Sequence, residues 1–212
     1  MTERIVVAVP KGSLYEETCN RLRTAGLDVP KAAGRLLKLS LAGSDVDLLL
    51  LRPSDVPAYV ESGAADCGIV GKDTLWESDH AVSEILDLNF GRCSLALAGR
   101  RIDGFHLGQT FPTFLRVATK FTRTAGEYFA RRDLACEIIG LHGSVELSPL
   151  VGLADVIVDL VSTGATLREH DMVVIDEIAV STARFIVNPV RFRAKYERLM
   201  ELTRRLEVNY AV

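Results

Sequence analysis

The chain has 212 residues, 48% of them hydrophobic and 25% charged, with a formal net charge of −3. That is enough apolar material to bury a substantial core, as one large domain or two small ones. No run of like charges reaches about five, so nucleic acid and membrane surfaces are poor candidate partners and small-molecule chemistry is the default.

The chain opens with Met1-Thr2-Glu3-Arg4 and a short apolar run, without the apolar length of a signal peptide or a spanning helix, and a cytoplasmic location is expected. Arg4 to Val9 is a β-branched strand ending in Pro10-Lys11-Gly12. Ser13 then stands where it can cap an amphipathic helix reaching Ala25, with Glu16 at the capping-box position. The alternation repeats. Val46 to Arg52 leads through Pro53-Ser54-Asp55 into a helix to Ser62, and Asp66 to Val70 leads through Gly71-Lys72-Asp73 into a helix to Ser78. Such a series predicts an α/β fold with a mainly parallel sheet covered by helices.

After Leu95 to Ala98, the stretch from Gly99 to Thr113 is rich in Gly, Pro and polar residues and reads as a domain crossing. A second series follows: a strand at Leu115 to Thr119, a helix over Thr122 to Arg132, a strand at Cys136 to Gly140, a helix over Ser144 to Leu153 and a strand at Asp155 to Val161. Val173 to Val187 is long and largely extended, and returns the chain to the first domain. The expected division is residues 1–91 with 178–212, and residues 92–177. A final helix, Arg191 to Leu206, carries Phe192, Tyr196, Leu199, Met200 and Leu206 near one stripe, which should dock on the first domain.

Two segments resemble each other across the halves. Ala65-Asp66-Cys67-Gly68-Ile69-Val70 leading to Thr74-Leu75-Trp76-Glu77 echoes Ala154-Asp155-Val156-Ile157-Val158 leading to Thr166-Leu167-Arg168-Glu169. The turn is three residues longer in the second copy, where it contains Ser162-Thr163-Gly164-Ala165-Thr166. The additional backbone lies where open α/β sheets place ligands.

A loop of small and hydroxyl residues between a parallel strand and a helix presents free N–H groups, which suits a phosphate. Gly164 permits left-handed angles and close approach, and Ser162, Thr163 and Thr166 add hydroxyl donors. A bare T-G-x-T is equally an ordinary capped βα turn. Asp159 favours the ligand reading, because a carboxylate in an apolar strand is costly unless paired or facing a ligand. Glu146, at the start of the preceding helix, is a second acid for the same cleft, although a helix-start acid needs no ligand to explain it.

Glu146, Gly152, Ala154, Ile157, Asp159, Leu160, Thr163, Gly164, Thr166 and Leu167 stand at the spacing of one family signature, E-x5-G-x-[small]-x2-[I/V]-x-D-L-x2-[S/T]-G-x-T-L. Together with Val9-Pro10-Lys11-Gly12, Arg52-Pro53-Ser54-Asp55-Val56-Pro57 and Gly63 to Gly71, the chain resembles the ATP phosphoribosyltransferase family along essentially its whole length. It looks like the short form, without the long form's C-terminal regulatory domain.

That resemblance implies two α/β domains in the type II periplasmic-binding-protein arrangement, with the active cleft between them. It implies joining of ATP, through adenine N1, to 5-phosphoribosyl 1-pyrophosphate, with pyrophosphate released, as the first step of histidine biosynthesis. The loop Ser162, Thr163, Gly164, Ala165, Thr166 is then expected to hold the 5-phosphate, and Asp159 with Glu146 to meet the ribose or its magnesium-bound neighbourhood. Negative charge grows on the departing pyrophosphate, so Mg²⁺ brought by the substrate and Arg or Lys side chains are expected there. Lys11 and Arg52 each follow a predicted strand of the first domain, at the ligand edge of its sheet, with Gly12 adjoining and Arg35 as a further candidate. A solvated turn lysine is the plain alternative for Lys11. Arg52, between Leu51 and Pro53, is less easily dismissed in that way, since such positions seldom hold unpaired charge.

Adenine N1 carries no proton, so positioning is expected to suffice and no histidine is nominated as a base. The full G-x-x-x-x-G-K-[S/T] loop is absent, so ATP is expected as an acceptor, not as a hydrolysed cofactor. The expected partner is a histidyl-tRNA synthetase-like regulatory subunit, with a homodimer of this chain inside a hetero-octamer. Cys19, Cys67, Cys93 and Cys136 are scattered and read as reduced, and the four histidines lack zinc-site spacing. Three rivals remain at this stage: a non-catalytic two-lobed binding protein of similar fold, a scaffold subunit that has lost catalysis, and a type I phosphoribosyltransferase. The last would carry two adjacent acids before its loop, where Val158-Asp159 supplies one.

Overall fold

The computed structural model describes residues 4–30, 36–104 and 114–207. The chain folds as two compact α/β units, Met1–Gly91 with Thr182–Val212, and Arg92–Ser181.

In the first unit, β1 (Ile5–Pro10) and β4 (Cys67–Gly71) are almost wholly apolar because they are central strands covered on both faces. Val7, Val9, Cys67 and Ile69 pack into one core cluster, Ala8 and Val70 into another, and all are fully buried. β3 (Val46–Leu51) runs parallel to β1 on one side and β4 parallel on the other. Three short strands complete the sheet in the order β2-β3-β1-β4-β11-β5, namely β2 (Lys38–Ser40), β5 (Ser83–Asp87) and β11 (Ala183–Val187). Asp47 is the buried exception in β3. Its burial alone would raise its carboxyl, but hydrogen bonds from Ser40, Arg4 and Lys38 outweigh that and hold it below the usual carboxylate range.

Helix α1 (Tyr15–Thr24) starts without the expected capping box. Gly12, at φ +87, turns the chain so that its carbonyl accepts from the Tyr15 N–H at 3.1 Å, and Leu14 takes the cap position with no side-chain bond. α2 (Val56–Glu61) follows a 3-10 turn at Pro53–Asp55, and α3 (Lys72–Trp76) begins directly at the end of β4. The expected terminal helix is two helices. α7 (Pro189–Ala194) and α8 (Tyr196–Glu207) break at Lys195, whose ammonium reaches the Arg4 carbonyl at 2.8 Å and Asp66 at 3.0 Å. Leu199, Leu202, Thr203 and Leu206 form the buried stripe of α8, whereas Tyr196 is exposed.

The second unit has the order β10-β6-β9-β7-β8. Its strands are β6 (Cys93–Arg100), β7 (Phe114–Thr119), β8 (Ala135–Gly140), β9 (Val156–Val161) and β10 (Met172–Ser181). β7 pairs parallel with β8 and β9, and β6 antiparallel with β9 and β10. The β6–β10 ladder runs to Cys93↔Ser181, which keeps the whole of β10 in this unit. α4 (Thr122–Ala130) covers the sheet, and α6 (Ala165–Glu169) follows β9. The helix expected over Ser144 to Leu153 is reduced to α5 (Leu147–Leu150), because Ser144 enters at φ +48 and Gly152 leaves at φ +72.

The internal resemblance is structural. In each unit the first parallel strand is flanked by the second and third, β3-β1-β4 and β8-β7-β9. Asp66, just before β4, donates its N–H to the Val6 carbonyl at 2.8 Å and accepts the Val6 N–H on its carboxylate at 2.8 Å. Asp155, just before β9, makes the same pair of bonds with Arg116, at 2.9 and 2.8 Å. The surroundings differ. Asp66 is 2% exposed and bonded to Lys195, while Asp155 is partly exposed and held below the usual carboxylate range chiefly by the Arg116 guanidinium.

Candidate functional site

Strand order reverses between β7 and β9, so the carboxyl edge there is the opening where doubly wound sheets bind ligands. Three connections leave the parallel strands at this edge, and each contributes a chemical group.

From β9 the chain passes through Ser162-Thr163-Gly164 before α6 begins, where the corresponding β4–α3 turn has no intervening residue. Gly164 holds φ +70 and ψ 12, angles that side chains with a Cβ seldom adopt, and a Cβ there would stand 3.1 Å from Arg168 Nη1. Arg168 folds back and donates to the Thr163 carbonyl at 2.9 Å, which braces the loop. Among the described residues the Thr163 and Gly164 N–H groups take no acceptor, and the Ala165 N–H has only a long 3.4 Å contact with Thr163 Oγ1. With five residues, α6 carries a small dipole, so the pull on an anion comes mainly from these amides and hydroxyls.

The loop closes one side of a cavity of about 210 Å³, with Ala96 and Ala98 of β6 and Ile157 of β9 as apolar wall and Glu146 and Asp159 as its acids. Whole small-molecule pockets run to ~300–1,000 Å³, so this one suits part of a ligand, a phosphate with its sugar. Asp159 is half-buried and its Oδ1 accepts the Leu160 N–H at 2.8 Å. Burial pushes its carboxyl above the usual range. The Leu160 N–H and the Lys120 charge oppose that rise, and the charge of Glu146 adds to it. Glu146 stands at the N-cap of α5 in the connection from β8.

Of the remaining signature positions, Gly152 lies between α5 and β9 in the left-handed region, and Ala154, Ile157 and Leu167 share one core cluster.

Of the residues nominated from sequence, Glu146, Asp159, Ser162, Thr163, Gly164, Ala165 and Thr166 are gathered around this one cavity. Lys11, Gly12 and Arg52 lie in the first unit. They share the carboxyl edge of β1 and β3, where Pro10 pairs with Leu51 and the Lys11 N–H donates to the Leu51 carbonyl at 2.8 Å. Arg52 stands at the N-cap of a 3-10 turn just beyond β3, where it is exposed and, among the described residues, makes no side-chain bond. Arg35 lies outside the described residues.

Sequence reasoning missed Lys120 and the brace from Arg168. Lys120 is the first residue after β7, as Lys11 is the first after β1, a correspondence that the strand order of the two units brings out.

The chain is similar in sequence and fold to known proteins. The ATP phosphoribosyltransferase (HisG) family model matches residues 52–208. A curated ATP phosphoribosyltransferase of Moorella thermoacetica is 45% identical over 98% of this chain and 93% of its own length. That of Rubrobacter xylanophilus is 46% identical over 92% of each. A solved ATP phosphoribosyl transferase (HisG:HisZ) complex from Thermotoga maritima contains a chain that superposes with a TM-score of 0.79 at 34% identity, covering 96% of both chains. A histidine kinase sensor domain with similarity to periplasmic binding proteins superposes at a TM-score of 0.58 and 15% identity, a likeness of fold alone.

Proposed function

The chain belongs to the ATP phosphoribosyltransferase family, and from that premise we infer that it is the pentosyltransferase of histidine biosynthesis that joins ATP to 5-phosphoribosyl 1-pyrophosphate. Adenine N1 attacks C1 of the ribose, the bond from C1 to the pyrophosphate oxygen breaks, and N1-(5-phosphoribosyl)-ATP and pyrophosphate leave.

The observation that carries this reading is the β9–α6 loop, whose Thr163 and Gly164 amides have no partner among the described residues and lie beside a cavity lined also by Glu146 and Asp159. We assign Ser162 to Thr166 to the 5-phosphate, and Asp159 with Glu146 to the ribose hydroxyls. Developing positive charge on the ribose ring is stabilised by such carboxylates, and negative charge on the leaving group by cations. Lys11 and Arg52, with Gly12 and Arg35, are our proposed contacts for pyrophosphate or ATP.

Magnesium fits this donor set as an ion carried in on the pyrophosphate. The carboxylates are hard oxygen ligands of the kind that hold Mg²⁺ through its waters. When bound, the ion neutralises the leaving group. Among the described residues no helix is long and apolar enough to cross a membrane, and we propose a cytoplasmic enzyme. The Thermotoga maritima structure is a HisG:HisZ complex, which supports a regulatory partner for this chain too. A homodimer within a hetero-octamer completes the proposal.

A turnover assay tests the reading. Purified chain, ATP, phosphoribosyl pyrophosphate and Mg²⁺, with and without the regulatory subunit, should yield one phosphoribosyl-ATP by mass spectrometry for each pyrophosphate released. No product under either condition rejects it, and binding without turnover would favour a two-lobed binding protein.

A further inference from the structure

We propose that Lys120 is a further substrate-binding residue of the second unit, whose ammonium offsets the paired acids Asp159 and Glu146 and meets the anionic phosphoribosyl substrate beside the β9–α6 loop. This rests on the functional reading above.

The backbone puts Lys120 there. β7 and β9 are parallel and pair through Thr119↔Val158, so Lys120 stands one step further along, level with Asp159 across the opening between the strands. Thr119 fixes that exit twice: its hydroxyl donates to the Val158 carbonyl at 2.6 Å and accepts the Phe121 N–H at 2.8 Å. The lysine is exposed, with Nζ resting over the Phe121 ring at 4.7 Å, and its charge is felt at the Asp159 carboxyl. A cation–π contact at an exposed site is weak and easily left.

The cavity itself supplies the need for it. Among the described residues its lining contains two carboxylates and no lysine or arginine, and Arg168 is turned to the Thr163 carbonyl. A substrate carrying phosphate and pyrophosphate would meet net negative charge from the side chains around it. One cation opposite Asp159 offsets one of those two charges and keeps Asp159 available as a carboxylate.

The test compares Lys120→Met and Lys120→Arg in the full chain with its regulatory subunit. Because the side chain is exposed, both variants are expected to fold. Lys120→Met should raise the KM for phosphoribosyl pyrophosphate about tenfold while leaving the KM for ATP within about twofold, and Lys120→Arg should recover most of the loss. The groups facing Asp159 are Lys120 from the end of β7, Glu146 from the β8–α5 connection and the Leu160 N–H. Without Lys120 the carboxyl rises further, so the acid-side fall of kcat/KM should begin at higher pH.

An unchanged KM and acid limb, or an equal rise in KM for both substrates, overturns the assignment. Calorimetric titration of phosphoribosyl pyrophosphate separates the two levels of failure. Equal binding by unaltered chain and Lys120→Met removes Lys120 alone. No binding by the unaltered chain removes the functional reading, and this inference with it.

Discussion

Gly164→Val is expected to weaken binding of phosphoribosyl pyrophosphate by about a hundredfold, the scale on which a displacement of ~1 Å at a positioned group is felt. Gly164 sits at φ +70, where a β-branched residue is strained, and its added Cβ would press on Arg168 Nη1 at 3.1 Å. The turn would have to open. The Thr163 and Ala165 N–H groups beside the cavity would then be displaced. The cost to folding is smaller, about 1–2 kcal/mol for a left-handed residue with a Cβ, so the variant should remain folded and ATP affinity should persist. Calorimetry with each substrate, alongside a thermal melt, distinguishes the outcomes. Unchanged affinity for phosphoribosyl pyrophosphate would remove the loop from the site.

The largest stability effect is expected at Asp66. Its carboxylate is buried, accepts the Val6 N–H and Lys195 at 2.8 and 3.0 Å, and lies 3.9 Å from Arg191 Nε. Asp66→Ala leaves the Lys195 ammonium, whose side chain is 8% exposed, on the Arg4 carbonyl but without its carboxylate, and should cost about 3–5 kcal/mol, the loss typical of breaking one side of a buried pair. That is a large share of the ~5–15 kcal/mol by which domains are stable. The counterpart Asp155→Ala removes the same backbone clamp but leaves Arg116 near solvent, and should cost only about 1–2 kcal/mol. Urea unfolding of both variants checks the contrast. Equal losses would mean that the clamp, not the buried charge, dominates. Adding Lys195→Met to Asp66→Ala should return part of the stability, because no charge is then left buried.

The elements most legible in the sequence are those whose pattern follows from burial. β1 and β4 are apolar throughout because both faces are covered, and α8 shows its stripe because one face meets the core. The site loop was legible for another reason: two copies of one βα turn stand in the chain, and three additional residues in the second mark where backbone serves a ligand.

What escaped was decided by tertiary context. β2 and β5 are short strands at the edges of their sheet, held by pairing rather than by a hydrophobic pattern. The break between α7 and α8 answers to Lys195 reaching Asp66, a contact 129 residues apart in the chain. Ser13 satisfied the capping pattern, yet the left-handed Gly12 spent the first helical N–H on its own carbonyl. Lys120 carries no motif. Only the pairing of β7 with β9 places it level with Asp159.

A crystal structure of the full chain with phosphoribosyl pyrophosphate and Mg²⁺ bound tests the central claim most directly. The account predicts the 5-phosphate within hydrogen-bond distance of backbone N–H groups between Thr163 and Thr166, with the ribose hydroxyls turned to Asp159. A phosphate bound at any other segment, with the β9–α6 loop empty, would contradict it.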